Sequence, residues 1–330
     1  MKNSLFTARA YDIMSQALLK MKNSGELSVP DTSEPVIVDD EALLTFAVFG
    51  DPQVSNYMFA RQRCFYSAVL DIANMPCPLD ALIIAGDIAE NGLKCEYLTV
   101  SRMLNEISDK VNHFICVTGN HDIRVRPYKR QLSVFRDFMS SVRNGVVPDG
   151  KRYYHSTEIN GYKFIMLGAD IPAFEASFIG KEQLAFIENE ISSSEKGKPV
   201  FIINHQPLKK HNGLPDTWQA KGAWRGSVGL QSNKLEKMFR RYDNVFYISG
   251  HLHWCTNAKS FDDRGAYKCL SAQTVGAGNH GDFGEESQGF IVSVYEDRII
   301  IRARLFGKGK YVDKSLPGAY TEIPLPHKNY

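Results

Sequence analysis

The chain has 330 residues, 43% of them hydrophobic, and a formal net charge of +2. That is enough apolar material for a sizeable core without a disulfide scaffold, and a near-neutral balance argues against a broad nucleic-acid or membrane surface. The six cysteines lie far apart with no Cys-x-x-Cys pair, so reduced thiols are expected.

At the N-terminus Leu5, Phe6, Ile13 and Leu18 are interrupted by Arg9, Asp12 and Gln16, so no secretory leader is expected. No apolar run approaches membrane-spanning length, and a soluble cytoplasmic protein is the expectation. Residues 4–21 read as an amphipathic helix that packs as an arm on the main body. Residues 25–41, with Pro30, Pro35 and several acids, read as a linker. The expected organisation is therefore an N-terminal helix and linker over 1–43 and one catalytic domain over 44–330.

From Leu44 onward strand and helix patterns alternate. Strands are expected at 44–50, 79–85 and 113–118, with helices at 57–74, 93–109 and 131–142. Residues 153–159 and 162–167 read as a hairpin closed by Asn160-Gly161. A helix at 181–192 leads to the Val200 strand, and one at 232–242 leads to the Val245 strand. Beyond these, strands at 267–272, 290–295 and 299–306 have no long helix between them. A parallel half followed by a hairpin-rich half predicts an α/β fold with a second, more mixed sheet packed on the first.

Polar residues follow these apolar runs in a set order: Asp51 and Gln53, Gly86-Asp87, Gly119-Asn120-His121-Asp122, His205, then Gly250-His251-Leu252-His253. Ligands bind where parallel strands end at their carboxyl edge. Strand ends so placed deliver carboxylates, amide oxygens and imidazoles to one edge, a donor set suited to two metal ions. Taken singly each residue has a plainer reading: Asp51 as a turn former, His205 as an ordinary hydrogen-bonded histidine. The ordered set is what carries the signal.

These motifs, Asp51-x-Gln53, Gly86-Asp87-x-x-Glu90, Gly119-Asn120-His121-Asp122, His205 and Gly250-His251-x-His253, resemble those of the calcineurin-like metallophosphoesterases. The resemblance covers residues 46–254 and implies a four-layer α/β/β/α sandwich with a dinuclear metal centre at the strand carboxyl ends. It implies that Asp51, Gln53, Asp87 and His253 surround one ion, and that Asp87 bridges to a second completed by Asn120, His205 and His251. His121 would then donate to the leaving oxygen or steady its charge, with Glu90 orienting the imidazole.

The implied reaction is hydrolysis of a phosphate mono- or diester by a hydroxide bridging two divalent ions (Mn, Fe or Zn). Gln53 departs from the family pattern, which has histidine there. A neutral amide oxygen is a harder donor than imidazole, which points away from zinc at the first ion.

Arg124, Arg126 and Arg225 are candidate substrate-binding cations, since a guanidinium matches phosphate geometry. A solvated basic loop accounts for them equally well. Trp218 and Trp224 fall in a long segment that can wall the site, and residues 276–284, with His280, form another candidate loop. Two rival readings stand beside the enzyme acting on a small phosphorylated substrate. One is a binding or scaffold module that kept the fold, which predicts loss of several ligands. The other is a nuclease, which predicts a basic stripe with interleaved aromatics.

Overall fold

The computed structural model describes residues 38–150, 152–214, 225–276, 278 and 287–325, together with 13, 16–21, 23–25, 27 and 34–36. Strands β1 (Leu44–Phe49), β2 (Ala81–Ile84) and β3 (Phe114–Cys116) are buried along their whole length, as unbroken apolar runs require. Between and after them run helices α1 (Phe59–Ala73), α2 (Lys94–Asn105), α3 (Asn120–Ile123) and α4 (Tyr128–Ser141). The hairpin β4 (His155–Ile159) and β5 (Tyr162–Met166) is followed by the small ribbon β6 (Pro172–Ala173) and β7 (Ala176–Ser177). Helix α5 (Lys181–Ser192), β8 (Val200–Ile203), α6 (Ser232–Phe239) and β9 (Val245–Ser249) come next. The chain then runs through β10 (Phe261–Asp263), β11 (Tyr267–Ser271), β12 (Gln288–Val294), β13 (Arg298–Leu305), β14 (Lys310–Tyr311) and β15 (Tyr320–Pro324).

The first sheet has the order β14-β13-β12-β1-β2-β3, with β15 beside β13, and the second has the order β10-β11-β9-β8-β5-β4. Both are mixed. Strands β1, β2 and β3 are parallel while β12 is antiparallel to β1. Strands β5, β8, β9 and β11 are parallel while β4 and β10 are antiparallel at the edges.

Alternation along the strands builds three apolar layers. Phe46 and Val48 point between the sheets, where Phe46 meets Phe164 and Phe201 edge-on, with ring centroids 5.6 and 5.0 Å apart. Ala47 and Phe49 point the other way, against Phe65 and Ile72 of α1, Leu104 of α2 and Phe135 of α4. On the far side, Ile165, Ile202 and Tyr247 pack on Ile187 of α5 and Phe239 of α6. The result is the expected α/β/β/α sandwich, with each sheet covered by helices on its outer face.

Boundaries moved where side chains took over from pattern. Helix α2 ends at Asn105 rather than running to 109, because Asn105 turns its amide to Ser141 O and Arg143 N–H, at 3.0 and 2.6 Å, and ties off α4. Helix α6 stops at Phe239, three residues short of the expectation. Helix α4 starts at Tyr128, behind Pro127, rather than at 131. Asn160 and Gly161 turn the hairpin with φ of +51° and +76°, the left-handed pair that a two-residue hairpin turn demands. Strands β10, β14 and β15 were not expected. They are short edge strands made by pairing with β11 and β13 rather than by an apolar pattern of their own. Of the N-terminal segment, residues 16–21 are helical and Leu18 is buried against the first sheet's helices.

The Arg304–Asp71 ion pair is wholly interior. Arg304 Nε and Nη2 donate to the two carboxylate oxygens of Asp71 at 2.6 and 2.9 Å, Nη2 also donates to Glu34 O at 2.9 Å, and both side chains are buried. Burial raises the Asp71 pKa against the pull of the guanidinium. Removing one partner strands the other charge, which costs about 3–5 kcal/mol. Arg304→Met is expected to lower unfolding stability by that amount in urea titrations. Asp71→Leu combined with Arg304→Met is expected to regain most of it.

Candidate metal centre

Loops leaving the carboxyl ends of both sheets are stitched together before any ligand is considered. The loop after β1 pairs with the loop after β2 through Gln53 N–H to Asp87 O at 2.8 Å and Val54 N–H to Ile88 O at 3.0 Å. Gly50 pairs with the chain beyond β11, donating to Gln273 O at 2.9 Å, and Thr274 Oγ donates to Asp51 O at 2.9 Å. Asp51, Gln53, Asp87, His251 and His253 all hold positive φ, between +40° and +73°. A run of non-glycine residues in this region is strained and turns successive side chains inward.

Side chains converge accordingly. His205 Nδ1 lies 2.8 Å from Ala85 O, which leaves Nε2 facing inward, 3.2 Å from Asp87 Oδ2 and 3.8 Å from Asp51 Oδ1. His251 Nδ1 stands 3.1 Å from His205 Nε2, and His251 N–H donates to Asp51 Oδ2 at 2.9 Å. His253 Nε2 is 3.0 Å from Asp51 Oδ1. Gln53 Nε2 donates to Asp87 Oδ2 at 3.2 Å. Its amide nitrogen therefore faces the Asp87 carboxylate, and coordination through Oε1 requires the amide to turn over. Asn120 is buried beside this group, and its Oδ1 accepts from Gln206 Nε2 at 3.4 Å.

Candidate ligand atoms of Asp87, His205 and His251 all lie within 4.8 Å of one another. That spacing accommodates a divalent ion with ligand bonds of about 2.0–2.2 Å. The donor set is carboxylate, amide and imidazole, all buried or nearly so, and it fits first-row divalent ions.

Electrostatics agree with this fit. Burial pushes the Asp87 carboxyl up, but the imidazoles of His205, His121 and His251 outweigh it and hold its pKa far below the usual range. Burial alone would strip His205 of its proton, yet Asp87 and Asp51 raise its pKa to about 10. His253 is likewise raised by Asp51 against its burial. His251 is pushed well below its ordinary value by burial and by His205. Asp87 and Asp51 thus favour protonation of His205 and His253, and a metal ion bound there would compete with those protons.

His121 lies beside the cage. Its N–H donates to Asp87 Oδ1 at 2.8 Å, its Nδ1 is 3.3 Å from Glu90 Oε2, and its Nε2 is 3.9 Å from Asp87 Oδ2. Glu90 is in turn paired with Arg61 and with Arg124, whose Nη2 sits 2.9 Å from Glu90 Oε1 and whose Nη1 sits 3.3 Å from His121 Nε2. Burial raises the Glu90 pKa, but His121 and Arg61 outweigh it and bring it down to about 2. Asp122 braces the loops from below, accepting from Gly119 N–H at 2.8 Å, Ala89 N–H at 3.0 Å and Tyr97 Oη–H at 2.8 Å.

Of the candidate substrate-binding cations, Arg124 is drawn onto Glu90 and His121. Arg126 and Arg225 make none of the site's hydrogen bonds among the described residues. Trp218, Trp224 and His280 lie outside the described residues.

Sequence reasoning passed over Arg61, Gln206 and Glu175. Gln206 adjoins His205, a signal that was there to use. Arg61 looks like any polar residue on the first turn of α1. Glu175 sits in the β6–β7 turn, with its Oε2 3.2 Å from Asn120 Nδ2, and no periodicity or turn dipeptide marks that ribbon.

Gly119 tests the geometry. A Cβ there would lie 2.0 Å from Asp87 Oδ1, so Gly119→Ala is expected to displace the carboxylate shared by both halves of the cage. Metal analysis should then find at least one ion fewer than in the parent, with cooperative unfolding retained. Gln53→His supplies an imidazole in place of an amide and is expected to tighten zinc relative to manganese at the first ion, measured by competitive metal titration. Coincident titrations of variant and parent would remove Gln53 from the ligand set.

Residues 44–255 match the family described as calcineurin-like phosphoesterase. A probable glycerophosphodiester phosphodiesterase, GpdQ, of Arcobacter nitrofigilis is 21% identical over 197 residues, which cover 58% of this chain and 63% of that protein. The chain therefore spans somewhat under two thirds of that relative's length. Among solved structures, a dimetal phosphatase from Danio rerio aligns over 86% of this chain and 100% of its own, with a TM-score of 0.59 at 16% identity. A purple acid phosphatase from yellow lupin (Lupinus luteus) aligns over 85% of this chain and 53% of its own, with a TM-score of 0.59 at 14% identity. GAP50, described as the anchor in the inner membrane complex of Plasmodium, aligns over 87% and 90%, with a TM-score of 0.57 at 12% identity. At such identities these structures bear on the fold alone. By the match over 44–255 and the ordered motifs within it, the chain belongs to the calcineurin-like phosphoesterase family.

Proposed function

We propose that the chain is a metal-dependent phosphoric ester hydrolase acting on a small phosphate mono- or diester. Asp51, Gln53, Asp87 and His253 would hold one divalent ion, and Asp87, Asn120, His205 and His251 a second. Ions held there would neutralise phosphoryl oxygens and make water a competent nucleophile near neutral pH. The observation that carries this reading is the buried convergence of Asp51, Asp87, His205, His251 and His253, within hydrogen-bonding to ion-pair range of one another. The amide donors Gln53 and Asn120 favour manganese or iron over an all-zinc centre. Residues 44–330 would form the catalytic unit, following an N-terminal helix and linker over 1–43.

His121 would act on the leaving oxygen. Its Nδ1 side faces Glu90, so the Nε2 side is the one turned toward Asp87 and the space in front of the cage. Burial and the nearby Arg124 charge lower the His121 pKa, but Glu90 and Asp87 outweigh them, so the net shift is upward. Arg61 and Arg124 hold Glu90, and through it the imidazole. They are positioning residues in this scheme.

A scaffold module is the second reading. GAP50 has this fold and an anchoring role in its description, and the Gln53 amide nitrogen facing Asp87 is the local feature that favours it. Retention of the other donors favours the enzyme. A net charge of +2 does not favour a nuclease on long polymers.

Chelation followed by gel filtration is expected to abolish ester hydrolysis, and manganese to restore it; full activity in metal-free protein would overturn the proposal. His121→Ala is expected to keep its metal. It should lose about 10²–10⁴-fold in kcat on alkyl phosphate esters, whose alkoxide needs a proton, and markedly less on nitrophenyl esters. Glu90→Gln should give a milder form of the same profile. Equal losses on both ester types would point to charge stabilisation rather than proton donation.

A further inference from the structure

Glu175 is an acidic side chain set against the second ligand group from outside the cage. It occupies a two-residue turn with Phe174, between β6 and β7, where Ala173 pairs with Ala176. Phe174 takes φ of +52° and is almost fully exposed, so the turn is built around Glu175 rather than around an apolar anchor. The ribbon is tied down on both sides. Asp170 N–H donates to Phe178 O at 2.9 Å, Gly180 N–H donates to Asp170 Oδ2 at 2.6 Å, and Ser177 N–H donates to Ser227 O at 3.0 Å.

From this perch Oε2 accepts from Asn120 Nδ2 at 3.2 Å and stands 3.9 Å from His251 Nε2. Asn120 and His251 are buried, whereas the Glu175 side chain is 44% exposed. It therefore stands on the solvent side of the second ligand group.

The charges around this opening are unbalanced. On the His121 side, Arg61 and Arg124 share Glu90, so their two positive charges are offset by one negative charge. On the Asn120 side Glu175 adds a negative charge that no ligand role requires. A phosphomonoester carries close to two negative charges at neutral pH, and a diester carries one. A carboxylate beside Asn120 and His251 repels each negative charge of a phosphate held by that ligand group, so a dianionic monoester bears about twice the repulsion of a monoanionic diester.

Resting on the hydrolase reading, we infer that Glu175 is a specificity-determining residue that turns the site toward monoanionic phosphodiesters and away from dianionic monoesters.

The test uses the full chain loaded with manganese, with p-nitrophenyl phosphate and bis(p-nitrophenyl) phosphate as a pair that share a leaving group. Glu175→Gln removes the charge and keeps an oxygen that can accept from Asn120 Nδ2. It is expected to raise kcat/KM for the monoester relative to the diester by about tenfold. Titration calorimetry should show inorganic phosphate binding tightened more than dimethyl phosphate binding, with metal content unchanged. An unaltered ester ratio together with unaltered phosphate affinity overturns the assignment. Loss of metal in Glu175→Gln also overturns it, since the residue would then act on the ligand set rather than on substrate charge. If the parent protein hydrolyses neither ester, the hydrolase reading fails, and phosphate calorimetry on parent and variant still decides the charge filter at Glu175.

Discussion

The site turns on the Asp87 carboxylate, which is buried at the end of β2 and shared by every part of the cage. Oδ1 accepts the His121 N–H at 2.8 Å, while Oδ2 meets His205 Nε2 and Gln53 Nε2, each at 3.2 Å. A bare carboxylate cannot be held in such surroundings without compensating positive charge. The neighbouring imidazoles of His205 and His253, whose pKa values the carboxylates raise, or divalent ions held by the same residues, can supply it. Gly119 passes so close that no side chain fits between it and Asp87. The left-handed φ of +48° at Asp87 itself aims the carboxylate across the strand ends.

Strain of this kind at five candidate ligands, at roughly 1–3 kcal/mol each for sparsely populated backbone conformations, persists only where the surroundings over-determine it. Here the surroundings are two packed sheets whose strand ends are hydrogen-bonded to each other. The aromatic layer around Phe46, Phe164 and Phe201 fixes how the sheets face one another. His205 on one sheet can then reach Ala85 on the other at 2.8 Å. The three apolar layers do more than stabilise the chain: they set the spacing between donors that come from different sheets.

Around the cage lies a ring of charged and polar groups that bind no ion in the proposed scheme. Arg61 and Arg124 fix Glu90 beside His121, Asp122 and Tyr97 brace the loops beneath, and Glu175 stands over Asn120 and His251. Supporting partners of this sort set the orientation and basicity of ligands. They also set the field that an incoming phosphate meets, which is why a residue on a short ribbon far from the strand ends in sequence can bear on substrate charge.

Much of this was legible from the chain alone, and the reason is local. Unbroken apolar runs such as Phe46–Phe49 must be buried strands, Asn160-Gly161 must turn a hairpin, and polar residues directly after such strands fall on one edge by geometry. The cage residues carry that signature because each sits at a strand end. Arg61 and Glu175 carry none of it. Their partners are 29 and 55 residues away in sequence, and nothing nearby in the chain announces the pairing. Arg124 shows the same limit from the other side: its basic surroundings suggested phosphate, but tertiary packing set it against Glu90 and His121. Composition, strand pattern and ligand order were determined by the sequence itself. Which charges face each other across the site was decided only when the two sheets closed, because long-range electrostatic contacts depend on distance in space and not along the chain.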